Sequence, residues 1–148
     1  MNIHMPSVLK AGGIAVIAGI VLGLLASLPI LGCLFVPLLC IAWFLLPLGA
    51  GLGYGYLAPG KEMLAESALG GALAGGFGGL VYGVVSGIGG MITNAGTVAM
   101  MEDPDMLPGA LASGVGGMLL LTCLAVVGGF IFGALGGIIW PLFQGNRM

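Results

Sequence analysis

Charge is what this chain has least of. Of 148 residues, three are Lys or Arg and five are Asp or Glu, 5% in all, against about 25% in an ordinary soluble domain. So few ionic groups cannot cover a globular exterior in water, which excludes a soluble domain and makes lipid the solvent. A net charge of -2 with almost no cations also excludes nucleic-acid binding, which depends on neutralising phosphates. A hydrophobic fraction of 59% excludes intrinsic disorder, and 31 glycines without a Gly-x-y period exclude collagen. Histidine occurs once, at His4, outside the expected spans, so a bundle interior would lack the commonest axial ligand of haem. Cys33, Cys40 and Cys123 form no C-x-x-C and have no neighbouring His. They suggest neither a zinc site nor a redox pair and read as small hydrophobes. No Ser/His/Asp, Cys/His or paired-carboxylate arrangement is available inside the apolar segments, so the sequence points away from an enzyme, with no catalytic residue, metal or cofactor expected.

What is present is length without charge. A bilayer-spanning helix needs about 20 mostly apolar residues. The run from Ala11 to Leu57 is uncharged and too long for one crossing, with Pro29 and Gly32 marking a turn inside it. Met63 to Thr93 carries only Glu66, and Gly109 to Phe143 carries no charge. The expectation is one all-α domain over residues 1–148, a polytopic integral membrane protein with helices at about 8–28, 32–57, 63–93 and 109–143. Lys10 precedes helix 1, Lys61 lies between helices 2 and 3, and Arg147 follows helix 4, all on one side of the membrane. The segment from Asn94 to Pro108 on the other side holds Glu102, Asp103 and Asp105. Translocation of cations is resisted, so both termini are expected to be cytoplasmic, in a prokaryotic inner membrane. Tyr54, Tyr56 and Trp140 are expected as interfacial rings on that side. Lys10, an apolar stretch and Ile30-Leu31-Gly32-Cys33 also fit a lipoprotein signal, but Leu34-Phe35-Val36 continues into apolar helix where a polar tether belongs, so the first helix is expected to stay.

Glycine position is the informative feature. Ser67, Gly71, Gly75, Gly79, Gly83 and Gly87 recur at every fourth residue of helix 3. Helix 1 repeats the device with Ala11, Ala15, Gly19, Gly23 and Ser27, and helix 4 with Ala125, Gly129, Gly133 and Gly137. Such stripes let helix backbones approach closely in lipid, where apolar burial alone gives helices little reason to associate. These glycines are therefore the expected helix-packing residues of a glycine zipper. Helix 2 carries Pro37 and Pro47, each expected to bend it, and then Gly49, Gly51, Gly53 and Gly55. Gly19-Ile-Val-Leu-Gly23 also echoes Gly79-Leu-Val-Tyr-Gly83 at an offset of 60 residues, as in parallel internal repeats.

Glu66 is the one ionisable residue close to a span, which marks it as a candidate ion or proton site. Its place near the start of helix 3 equally suits a carboxylate stabilised by the helix dipole. Glu102, Asp103 and Asp105 lack calcium-loop spacing and read as a solvated loop. Thr93, Asn94 and Thr97 read as caps at the end of helix 3.

The four-helix length and the Gly49-x-Gly51-x-Gly53-x-Gly55 string look like the proteolipid subunits of rotary ATPases. Those carry their ion on a carboxylate midway along an outer helix, and helices 2 and 4 have none, so a rotary function does not carry over. Ala18-Gly19 through Pro29, then Cys33 and Cys40, then the glycine-rich start of helix 3 after Lys61-Glu62 resemble small prokaryotic membrane proteins grouped as a domain of unknown function. The resemblance covers half the chain and implies four spans and no activity. The sequence thus favours a non-catalytic accessory or assembly subunit that packs on other membrane proteins, or on copies of itself, through Gly-xxx-Gly faces. The alternative is a small oligomeric channel or transporter with Glu66 near its path. Bound lipid or isoprenoid is compatible with either, because glycine grooves accept such chains as readily as helices.

Overall fold

The computed structural model describes residues 3–27, 29–58, 63–100 and 107–144. Four helices account for nearly all of them: α1 (Met5–Ser27), α2 (Pro29–Leu57), α3 (Leu64–Met100) and α4 (Leu107–Gln144). The shortest has 23 residues, about 34 Å at 1.5 Å per residue, against a hydrocarbon core of about 30 Å. All four are long and apolar enough to cross a membrane, so the chain is an all-α, multi-pass membrane protein by length and composition.

Helix boundaries follow local chemistry. α2 begins at Pro29, three residues ahead of the expected start, because proline fits the first turn, where its missing N–H leaves no helical bond unmade. The helix then continues through Pro37 and Pro47. α3 runs seven residues past the expected end at 93. Thr93 and Thr97 are not caps but interior residues, whose hydroxyls donate to the carbonyls of Gly89 and Thr93, each at 2.9 Å. Ser86 and Thr122 do the same toward Tyr82, at 2.6 Å, and Met118, at 2.8 Å. Each of these hydroxyls is thereby given to its own helix.

α1 packs on α2 and α3, α4 packs on α2 and α3, and α1 and α4 do not meet among the described residues. The α2–α3 pair thus forms the middle of the molecule, flanked by α1 and α4. The start of α1, the end of α2, the start of α3 and the end of α4 gather at one end, which identifies an alternating chain direction. The buried cluster consists of Val8, Ala11, Ala15, Ala50, Tyr54 and Ala74. Large side chains such as Ile14, Ile17, Leu45, Leu119, Leu124 and Ile131 face outward. This inverts the soluble arrangement and suits a lipid surroundings, with bulk outside and bare backbone inside.

Tyr54 corrects one expectation. It is not an interfacial ring but the largest fully buried side chain, lying where Gly70 of α3 has no Cβ to oppose it. Its hydroxyl accepts from the His4 backbone N–H at 3.4 Å. Tyr56, two residues on and therefore on another face, is exposed and meets Trp140 edge to face, with ring centroids 5.3 Å apart.

Candidate functional site: the helix seams

The stripes named from the sequence lie along the contacts between helices. A Cβ added at Gly71 would fall on the carbonyl oxygen of Gly133 and within 2.9 Å of the Gly137 Cα. At Gly75 it would meet the Gly129 oxygen and, at 2.9 Å, the Gly133 Cα; at Gly79 it would strike the Ala125 oxygen. Further along, a Cβ on Gly83 would stand 2.6 Å from the Thr122 Cα and one on Gly87 2.9 Å from the Met118 Cβ. Seen from α4, added Cβ atoms on Gly129, Gly133 and Gly137 would meet the backbone of Gly75, Gly71 and Ser67. On α1, a Cβ added at Gly19 would lie 3.2 Å from the Gly78 oxygen, and one at Gly23 2.9 Å from the Val85 Cγ1.

A second set of glycines carries a feature that the every-fourth-residue count does not capture. Consecutive residues of a helix point about 100° apart, so a Gly-Gly doublet bares two faces at one level. Gly70 lies under the Tyr54 ring of α2 while Gly71 meets α4. Gly78 meets Ala15 of α1, with its Cβ 2.9 Å away, while Gly79 meets α4. In α4, a Cβ on Gly136 would strike the Leu48 carbonyl of α2 and one on Gly137 that of Ser67 in α3; a Cβ on Gly128 would stand 3.3 Å from the Trp43 ring, and one on Gly129 would meet Gly75. From α2, a Cβ on Gly51 would strike the Gly133 oxygen and one on Gly55 would stand 2.7 Å from the Trp140 Cβ. These four doublets mark levels where one helix serves two neighbours, while at Gly75-Gly76 both residues meet α4, at Gly129 and Phe130.

The doublet Gly116-Gly117 is different. Nothing lies within 4 Å of a Cβ placed on either residue, and the same holds for Gly13, Gly49, Gly90, Gly96 and Gly109.

Polar contacts concentrate at the shared end and satisfy helix-terminal carbonyls. Pro141 has no N–H to offer the Gly137 carbonyl one turn earlier, and its ring crowds that carbonyl outward. The buried Ser67 hydroxyl donates to the Gly137 oxygen at 2.7 Å and makes good the loss. The Ser7 hydroxyl likewise donates to the terminal Leu57 carbonyl of α2 at 2.9 Å. Because that carbonyl can only accept, the Ser7 proton is committed to it. The His4 Nδ1, 2.7 Å from the same hydroxyl oxygen, must then be the donor of its pair.

Glu66 stands in the first turn of α3 and is half-buried. Its Oε2 accepts from the Met63 N–H at 3.3 Å, and the Glu66 N–H donates back to the Met63 carbonyl at 2.9 Å. That is the side-chain half of a capping box, with a carboxylate at the positive end of the helix dipole. Lys61, Glu62, Glu102, Asp103, Asp105 and Arg147 lie outside the described residues, as does the Cys33 side chain, while Cys40 and Cys123 are exposed free thiols. Among the described residues no three His, Cys, Asp or Glu side chains converge.

Two spaces remain. A cavity of about 10 Å³ is lined from all four helices by Leu22, Trp43, Pro47, Gly79, Tyr82 and Ala125, among others, room for one water at most. Between α1 and α2 an open apolar groove has a volume of about 470 Å³. Compared with protein-family models, with curated proteins and with solved structures, the chain matches none.

Proposed function

We propose that this chain is a non-catalytic membrane subunit that docks other membrane proteins, or further copies of itself, through small-residue helix faces. In this reading α3 and α4 form a glycine zipper that builds the monomer, both termini face the cytoplasm, and the membrane is the inner membrane of a prokaryote. The observation that carries it is Gly116-Gly117. The doublets Gly70-Gly71, Gly78-Gly79, Gly128-Gly129 and Gly136-Gly137 each lie against two neighbouring helices, whereas a Cβ placed on either residue of this one would meet no neighbour within 4 Å. Glycine costs a helix about 1 kcal/mol relative to Ala in water, so a bare pair without a neighbour favours a helix supplied from outside the chain. The small cavity lined from all four helices supports a packing role over a solute path within one chain.

The test is extraction in mild detergent followed by native sizing and cross-linking from α4. An assembly larger than one chain that Gly116→Leu and Gly117→Leu dissolve supports the reading. A strictly monomeric particle with no co-purifying protein overturns it, as does solute flux through liposomes holding the protein alone that Glu66→Gln alters.

A further inference from the structure

The groove between α1 and α2 is lined from α1 by Ala11, Ile14, Ala15, Ala18 and Leu22, and from α2 by residues running from Ala42 through Gly49 and Gly53 to Leu57. The two helices come to contact distance near one end, where a Cβ on Gly53 would stand 3.8 Å from that of Ala11. Gly49 has nothing within 4 Å, so the groove is widest beside it. From Leu57 to Ala42 the groove extends about 22 Å along α2, longer than the hydrocarbon of one leaflet, about 15 Å. The groove has a volume of about 470 Å³ and is open along one side. Its lining is aliphatic throughout, so a lipid hydrocarbon chain can enter from the side and fill it without moving either helix.

The mouth of the groove carries the charge. His4 and Ser7 continue the α1 face of Ala11, Ala15, Ala18 and Leu22 at helical spacing, and the Ser7–Leu57 hydrogen bond ties the two helices there. Lys10, beside Ala11, is exposed, as is His4. These are the basic residues among those described, and both lie at this end of this groove. The one described acid, Glu66, accepts from a backbone N–H at the start of α3. We propose that the α1–α2 groove holds one acyl chain of an anionic phospholipid from the leaflet on the His4 side, with its phosphate at Lys10. A cation near the membrane surface favours an anionic headgroup about fivefold. The inference is independent of docking at Gly116-Gly117, because a monomer can retain its lipid.

The experiment is native mass spectrometry of the whole protein released from bilayers of equal phosphatidylglycerol and phosphatidylcholine. One retained lipid per chain is expected, with phosphatidylglycerol preferred about fivefold. Gly49→Leu, whose Cβ meets no neighbour within 4 Å, puts its isobutyl group into the groove and abolishes retention. Gly13→Leu, equally unobstructed but on the opposite face of α1, leaves retention unchanged and controls for folding. Lys10→Gln keeps the lipid and loses the preference. The proposal is overturned if the wild-type chain retains no lipid or retains the two headgroups equally. Equal retention by Gly49→Leu, or a chain dimer that this variant dissolves, overturns it too.

Discussion

Removing the Ser67 hydroxyl isolates one interhelical hydrogen bond whose value depends on a proline 74 positions away. Ser67 is 1% exposed and gives its proton to a carbonyl that Pro141 has deprived of its helical donor. Hydrogen bonds between membrane helices average about 0.6 kcal/mol, because the unfolded chain in lipid finds other partners. Here Ser67→Ala leaves a buried acceptor with its helical donor missing, so the loss is expected at about 1.5 kcal/mol. Pro141→Ala restores an N–H one turn beyond Gly137, and a carbonyl oxygen has lone pairs for both donors. In that background Ser67→Ala should cost about 0.5 kcal/mol, a coupling of roughly 1 kcal/mol. The assay is reversible unfolding by SDS titration in mixed micelles, run on the wild type, both single variants and the double variant. Equal Ser67→Ala losses in the two backgrounds, within the roughly 0.4 kcal/mol expected of independent sites, would refute the proline-orphaned carbonyl as the reason for the contact.

Two further expectations use the same titration. Gly133→Ala directs a methyl onto the Gly71 carbonyl oxygen and within 3.1 Å of the Gly75 Cα. These are backbone atoms that cannot swing aside, so α3 and α4 must part, at a loss of about 2–3 kcal/mol. The same substitution at Gly116, where nothing lies within 4 Å, should be neutral or mildly stabilising in the isolated chain; matching losses at the two positions would contradict the seam geometry. Glu66→Gln keeps an acceptor for the Met63 N–H and gives up only a charge at a half-exposed helix start, so the loss should be about 0.5 kcal/mol. A loss several times larger would mean that the carboxylate holds something other than its own helix.

The four helices are legible in the sequence because lipid sets a simple requirement, long stretches without charge, and few residues here interrupt them. Boundaries depend on finer chemistry. Pro29 reads as a breaker until its place in a first turn is considered, and Thr93 and Thr97 read as caps because a hydroxyl's choice between its own helix and a loop is not written locally. Glycine spacing marked Gly71, Gly75 and Gly79 as one face, but which neighbour a face meets depends on the crossing of helices distant in sequence. Gly51 and Gly136, on the α2–α4 contact, were thereby passed over. Tyr54 shows the same limit, since a ring near the end of a span suits either the headgroup level or a buried slot, and Gly70 opposite it decides. The Ser67–Gly137 bond was readable in part: a proline four residues beyond a carbonyl announces an orphan acceptor, and only the fold says which hydroxyl reaches it.

These seams also explain why the molecule has an uneven periphery. Where two bare backbones face each other, as along α3 and α4, dispersion acts over a close and continuous contact, and a single methyl is enough to spoil it. α1 joins differently. Gly19 and Gly23 fit it closely to α3, but toward α2 its small residues Ala11, Ala15 and Ala18 look across a groove at Gly49 and Gly53. At the shared end the two helices are tied by the Ser7–Leu57 bond and by the buried cluster of Val8, Ala11 and Ala15 with Ala50 and Tyr54. A contact with that much unfilled space forfeits attraction over much of its length, because a gap of even 1 Å gives up a quarter to a half of each atomic contact. Lipid chains are the abundant material that can enter from the side and restore those contacts without displacing a helix. Stability of α1 against α2 should therefore respond to what surrounds the protein, while the α3–α4 seam, already closed by its own backbone, should respond chiefly to changes in its own residues.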